Sequence, residues 1–242
     1  MKVLGRFLIF MGKLVTNREA FNVYFRRFFD ECMKIGIDSL FIVVVVSFFI
    51  GAVTAVQTAY NLVSPLIPLY VISTIVRDMS ILELAPTFTA IVFAVKVGSN
   101  IAGEIGTMRI TEQIDALEIM GINAASYLAL PKILAGFFMY PLLVILAATI
   151  SIYGGFLAGT LGGHLTEQDY IYGIRIDFIE FNVVFALIKS YVFGFLITAI
   201  SSFKGFYTKG GALEVGKAST SAVTSSCIAV LIADFLLAQL LV

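Results

Sequence analysis

Glu83, Lys96, Lys189 and Asp234 stand inside or at the edge of long apolar runs, where charge is scarce. An ionised side chain at the centre of a bilayer costs about 3 kcal/mol on insertion scales, so such residues pair, reach the interface, or mark the path of an ion or substrate. The stems of Lys96 and Lys189 are long enough to snorkel to an interface. Glu83, between Leu82 and Pro86, falls at the outer mouth of its run and is expected on a transport path, whereas Asp234 is expected to contact a neighbouring helix.

A second concentration of charge fills residues 98–122, a polar island between one apolar run ending near Val97 and another beginning near Tyr127. Ile110, Ile114, Leu117 and Gly121 recur at helical spacing, and Arg109, Glu112, Gln113, Asp115 and Glu118 fill the other faces. This pattern predicts a short amphipathic helix over 107–122, held between two membrane spans. A passive linker needs no such periodicity, and an acidic face of this kind suits a groove on a partner protein. Acids in a first turn also favour the helix dipole, but that effect is at most about 1 kcal/mol and does not account for the apolar stripe.

Other chemistries fail on composition. Residues 211–218, Gly-Ala-Leu-Glu-Val-Gly-Lys-Ala, meet the phosphate-loop pattern except at the last position. The hydroxyl missing there would ligate magnesium, and the motif also needs a buried strand before it, not a membrane span. Any ATP and magnesium must therefore be held by another chain, and no cofactor is expected on this one. A single histidine, His164, and two distant cysteines, Cys32 and Cys227, argue against a catalytic triad, a metal cluster or a disulfide. No catalytic or metal-binding residue is expected.

The elements that must position these residues are membrane helices. Of 242 residues 60% are hydrophobic and 13% charged, about half the charge of a soluble domain. A formal net charge of zero argues for no nucleic-acid partner. The expected fold is an all-α integral membrane protein in one domain, with about five transmembrane helices after an N-terminal interfacial amphipathic helix. That first helix is assigned to residues 1–34, where basic and aromatic side chains interleave, as at the surface of an anionic membrane. Spans follow at 35–60, 81–103, 127–161, 182–203 and 219–242. Residues 62–76, with Pro65 and Pro68, are short for a crossing and read as a re-entrant or outer-surface segment. With five crossings the basic N-terminus and the Lys204, Lys209 and Lys217 loop share the cytoplasmic side, as does the 107–122 helix, and the acidic 162–181 loop faces outward. Gly155, Gly159 and Gly163 repeat at four-residue steps, suited either to packing within one subunit or to a dimer seam.

Taken together, Glu83-Leu-Ala-Pro86, Gly98-Ser and the run from Ala102 through Glu104, Gly106, Arg109, Glu112, Gln113, Asp115 and Glu118 to Gly121 resemble the MlaE/YrbE family, permeases of ABC transporters that work with MCE proteins. The resemblance covers nearly the whole chain, including Ser202-Phe-Lys-Gly205 and Asp234-Phe. It implies a bacterial inner-membrane permease without its own nucleotide site and with a cytoplasmic N-terminus. The implied partners are a second copy of itself, separate ABC ATPase subunits and a periplasmic MCE-domain protein. The implied cargo is phospholipid or a similar lipid, moved between inner and outer membranes in support of outer-membrane lipid asymmetry. Glu104, Arg109, Glu112, Gln113, Asp115 and Glu118 fall to ATPase coupling, Glu83 and Tyr60 to the lipid path, and Asp234 and Lys96 remain as intramembrane charges. Leu82, Ala85 and Val95-Lys96 depart from the arginine, glycine and Gly-Arg of the family pattern, which bears on headgroup contact. Two other classes stay open: a proton-driven secondary transporter using Glu83 and Asp234, and a non-transporting membrane scaffold.

Overall fold

The chain was analysed as a computed structural model, which describes residues 2–14, 16, 21–62 and 68–241. Those residues form eight helices and the connections between them. α1 is Lys2–Lys13, and α2 runs from Phe21 to Cys32, through a π-helical turn at Met33–Ile37, into Asp38–Asn61. α3 is Tyr70–Ile110, α4 is Gln113–Ile119, α5 is Ala124–Leu161, α6 is Glu167–Arg175, α7 is Glu180–Phe206 and α8 is Ala212–Leu241. Five of them, α2, α3, α5, α7 and α8, are long and apolar enough to cross a bilayer.

Three boundaries differ from the sequence reading. Within 1–34 the described residues form two helices, and the second continues without a break into the first span. Pro65 and residues 63–67 lie outside the described residues, but helix begins at Tyr70 and runs on through residue 81, so 70–76 form the first turns of α3. The 219–242 span begins earlier, at Ala212. Continuous helix satisfies every backbone group internally, which hydrocarbon demands and which polar residues at helix ends do not prevent.

The chain divides into two compact units. Unit 1 comprises residues 1–39, 90–140 and 191–239, and unit 2 comprises 40–89, 141–190 and 240–242. In unit 1, Phe10 is fully buried against Phe203, Phe206 and Tyr207, with ring centroids 5.8, 5.5 and 6.1 Å away. Aromatic burial thus fastens α1 to the end of α7. In unit 2, α2 and α5 touch backbone to backbone: a Cβ on Gly51 would collide with the backbone of Ser151, and one on Gly154 with that of Phe48. Small residues permit that approach. Of the repeated glycines, Gly155 packs against Val76 and the Tyr170 hydroxyl and Gly159 against Leu165, while Gly163, at φ +70, lies beyond the helix end. Two of the three therefore serve contacts within the subunit.

Candidate functional site

α4 is set off from α3 by a break at Thr111 and Glu112. Glu112 has φ 60 and ψ 11, a left-handed conformation that few residues other than glycine adopt, and its carbonyl accepts the first bond of α4, from Ala116 N at 2.9 Å. Residues 107–110, expected in the short helix, are instead the last turn of α3. The apolar stripe also faces differently from a docking surface: Ile114 is fully buried in unit 1 and Ile110 and Leu117 are half-buried, so the stripe is an anchor. What the segment presents is Glu112, Gln113 and Glu118 with two exposed apolar residues, Ile119 at 88% and Met120 at 65%.

The other residues expected here brace the segment. Arg109 Nη1 donates to Asp115 Oδ1 at 2.7 Å, tying α4 back to α3. Past α4, Asn123 Nδ2 donates to the carbonyls of Lys13 and Thr16, each at 2.7 Å. Ser126 Oγ donates to the Leu14 carbonyl at 3.1 Å and shares a hydrogen bond with the Tyr24 hydroxyl at 2.9 Å. The Arg27 guanidinium lies 3.7 Å above the Tyr127 ring. The N-terminal helices therefore clamp the exit of the segment. Glu104 does not reach its exposed face: with Glu31 it grips the nearly buried ammonium of Lys132, at 2.7 and 2.8 Å. Lys132 gave no sequence signal, because it lies near the start of a long apolar helix where interfacial lysines are ordinary.

In unit 2 the central feature is the pair Glu83–Lys189, with Nζ to Oε1 at 2.7 Å. Lys189 does not snorkel. Its side chain is fully buried, donates to the Leu82 carbonyl at 3.1 Å, and lies 4.7 Å from the centre of the Phe185 ring. Glu83 is half-exposed and belongs to a π-helical stretch, Ser80–Phe88, that accommodates Pro86. Such stretches widen the helix and recur at functional sites. An apolar cleft of about 190 Å³ in the same unit is walled by Ile81, Val144, Ile145, Ile152, Val183 and Leu187, among others. Nearby in sequence, the buried Arg77 donates to the carbonyls of Gly173, Ile174, Ile176 and Asp177, at 2.7 to 3.4 Å, and fixes the end of α6. Burial pushes the Tyr170 phenol well above its ordinary range, and its hydroxyl donates to the Ile152 carbonyl at 2.8 Å.

Tyr60 is exposed near the end of α2, and among the described residues no hydrogen bond or ion pair joins it to Glu83. Lys96 lies in a second π-helical stretch, Ala94–Gly98, and donates to the Asp38 carbonyl. Asp234 is half-buried on α8. Among the described residues no cluster of three or more His, Cys, Asp and Glu fit to hold a metal occurs. Residues 212–218 are helical, and Lys217 turns to Glu214 at 2.6 Å, so no loop is there to wrap a phosphate.

The profile of the family described as Permease MlaE matches residues 28–240. A probable ABC transporter permease protein of Rickettsia bellii is 36% identical over 237 residues, 98% of this chain and 91% of that protein. Another, of Synechocystis, is 34% identical over 221 residues, 89% of this chain and 82% of that protein. The chloroplastic protein Trigalactosyldiacylglycerol 1 of Arabidopsis thaliana is 30% identical over 240 residues, 96% of this chain and 66% of that protein. The chain belongs to the MlaE permease family: it is a multi-pass membrane permease of the ABC transporter class, without an ATPase domain of its own, and its class works with ATPase subunits.

Proposed function

We propose that this permease moves phospholipid or a similar lipid between inner and outer membranes of a bacterium, driven by a separate ATPase that pushes on the 112–120 segment. The observation that carries the reading is the build of that segment. A short helix anchored by Ile114 and braced by Arg109 and Asn123 presents acidic and apolar side chains outward, as a contact that must transmit force requires. ATP and magnesium belong to the ATPase. Glu83, half-exposed beside its buried lysine, is suited to a polar headgroup, and the apolar cleft of the same unit to acyl chain. A lipid cargo is also supported by the Arabidopsis relative, whose name is that of a glycolipid. The permease works as two copies in the inner membrane, N-terminus in the cytoplasm, with an MCE-domain protein on the periplasmic side.

The test is charge reversal at Asp115 and Glu118 together in the purified complex. The double lysine variant is expected to lose lipid-stimulated ATP hydrolysis by more than about tenfold while its membrane insertion is unchanged. Hydrolysis at the wild-type rate would overturn the assignment. A photocrosslinker in place of Glu83 should capture lipid, and capture of none removes Glu83 from the path.

A further inference from the structure

A cleft of about 800 Å³ in unit 1 gathers five cationic side chains, Arg6, Arg109, Lys204, Lys209 and Lys217, against one carboxylate, Glu214. Two of the cations are neutralised within the chain, Lys217 by Glu214 at 2.6 Å and Arg109 by Asp115 at 2.7 Å. Lys204 is held by the Ser221 hydroxyl at 3.0 Å, and among the described residues Arg6, Lys204 and Lys209 have no carboxylate partner. Three unneutralised cations around one cavity repel one another until an anion joins them. They come from separate elements, α1, the end of α7 and the connection to α8, so the cavity is built by the fold and is not one basic run.

The surroundings select among anions. Arg6 lies on α1, which buries Phe10 and leaves Leu8 and Ile9 each 61% exposed, and Ile9 lines the cleft itself. Cations beside exposed apolar side chains on an amphipathic helix are the composition of an element at a bilayer surface, with the cations at headgroup level. A nucleotide is disfavoured because the first turns of α8 are regular helix with Lys217 already paired.

We propose that this cleft binds the phosphate-bearing headgroup of an anionic phospholipid from the leaflet on which α1 lies. The bound headgroup acts on the 112–120 segment through Arg109, which lines the cleft and holds Asp115. A second anion near that guanidinium competes with Asp115 for it and loosens the brace on α4. Headgroup binding stands apart from the transport reading, whereas the effect on α4 rests on it.

The full-length permease in zwitterionic nanodiscs doped with phosphatidylglycerol is the test, with retained lipid read by native mass spectrometry against phosphatidylcholine. The wild type should retain phosphatidylglycerol preferentially. Arg6→Gln with Lys209→Gln should cut the preference by about thirty-fold, roughly fivefold per cation at a membrane surface. Arg6→Lys with Lys209→Arg should keep it, showing that lost charge and not a lost fold is responsible. An unchanged preference in the glutamine variant overturns the site, and so does equal displacement by millimolar inorganic phosphate or ATP, which would make it a free-anion site. With the ATPase bound, phosphatidylglycerol should change ATP hydrolysis in the wild type and not in the glutamine variant. A change of equal size in both overturns the link through Arg109. Should no ATPase engage the permease at all, the transport reading fails while the retention result still decides the site.

Discussion

Glu83–Lys189 in unit 2 and Arg109–Asp115 in unit 1 close at the same 2.7 Å, yet they are different interactions. In the first the cation is fully buried and the carboxylate 48% exposed; in the second the two side chains are 30% and 47% exposed. Coulomb energy at fixed distance scales inversely with the local dielectric. An exposed pair contributes about 0 to 1 kcal/mol, because water competes for both partners. A buried ammonium that loses its carboxylate stays desolvated, at a cost of up to about 3 to 5 kcal/mol, which the remaining bond of Lys189 to the Leu82 carbonyl and its place over the Phe185 ring reduce. The unit 2 pair is therefore held, and the unit 1 pair can be exchanged cheaply. An element that moves under a partner needs contacts of the second kind.

Three substitutions test that difference. Glu83→Gln should destabilise most, by about 2 to 3 kcal/mol once the full buried-pair cost is discounted for the exposed carboxylate. In detergent this lowers the unfolding midpoint by roughly 5 to 10 °C, and salt should hardly alter the shift. A drop under about 2 °C would mean that Lys189 is satisfied without Glu83, and the comparison breaks. Tyr170→Phe should cost about 1 kcal/mol through the lost bond to Ile152. Its pH dependence has a definite sign: the phenol titrates higher folded than unfolded, so this contribution is whole below pH about 10 and is lost as pH rises further. The wild type should therefore lose stability above pH 10 faster than the phenylalanine variant. Asp115→Asn should cost less than about 1 kcal/mol, and about 0.5 M salt should erase that cost. A loss as large as that of Glu83→Gln would show the exposed pair to be structural.

Hydropathy made the five long helices legible, since each is a run of apolar residues that only a bilayer or another helix can receive. It did not show where they start: Tyr70 and Ala212 open helices whose first turns carry Arg77, Asp78, Glu214 and Lys217, because polar residues at helix ends depress hydropathy without breaking the backbone pattern. In the 98–122 stretch the stripe is divided between the last turn of α3 and the short α4, and spacing alone does not say which face turns inward: Ile114 took its part of the stripe into the core. The partners Lys189 and Lys132 were hidden for a simpler reason. An isolated lysine in an apolar run looks the same whether it reaches water or a carboxylate, and only the fold brings Glu83 and Glu104 to them.

The smallest effect separates backbone geometry from side-chain pairing. Among the described residues two other than glycine have positive φ, Glu112 at 60 in unit 1 and Asp177 at 51 in unit 2. The left-handed region costs a residue with a Cβ about 1 to 2 kcal/mol, and glycine recovers part of that while giving up chain entropy in the unfolded state. Glu112→Gly and Asp177→Gly should each stabilise by about 0.5 kcal/mol, a rise in midpoint of roughly 1 to 2 °C. Their functional consequences should differ. The Asp177 carbonyl is gripped by the buried Arg77 at 3.3 Å, so the freed backbone stays in place and ATP hydrolysis is unaltered. Glu112, with Thr111, makes the turn between α3 and the first bond of α4; its amide donates to the Arg109 carbonyl at 3.3 Å, and its side chain makes no capping bond. Glycine there turns a defined joint into a slack one, so lipid-stimulated ATP hydrolysis should fall several-fold although the protein is more stable. Equal hydrolysis in both glycine variants would make the break before α4 an ordinary connection and leave Glu118, Ile119 and Met120 to carry the proposed contact with the ATPase.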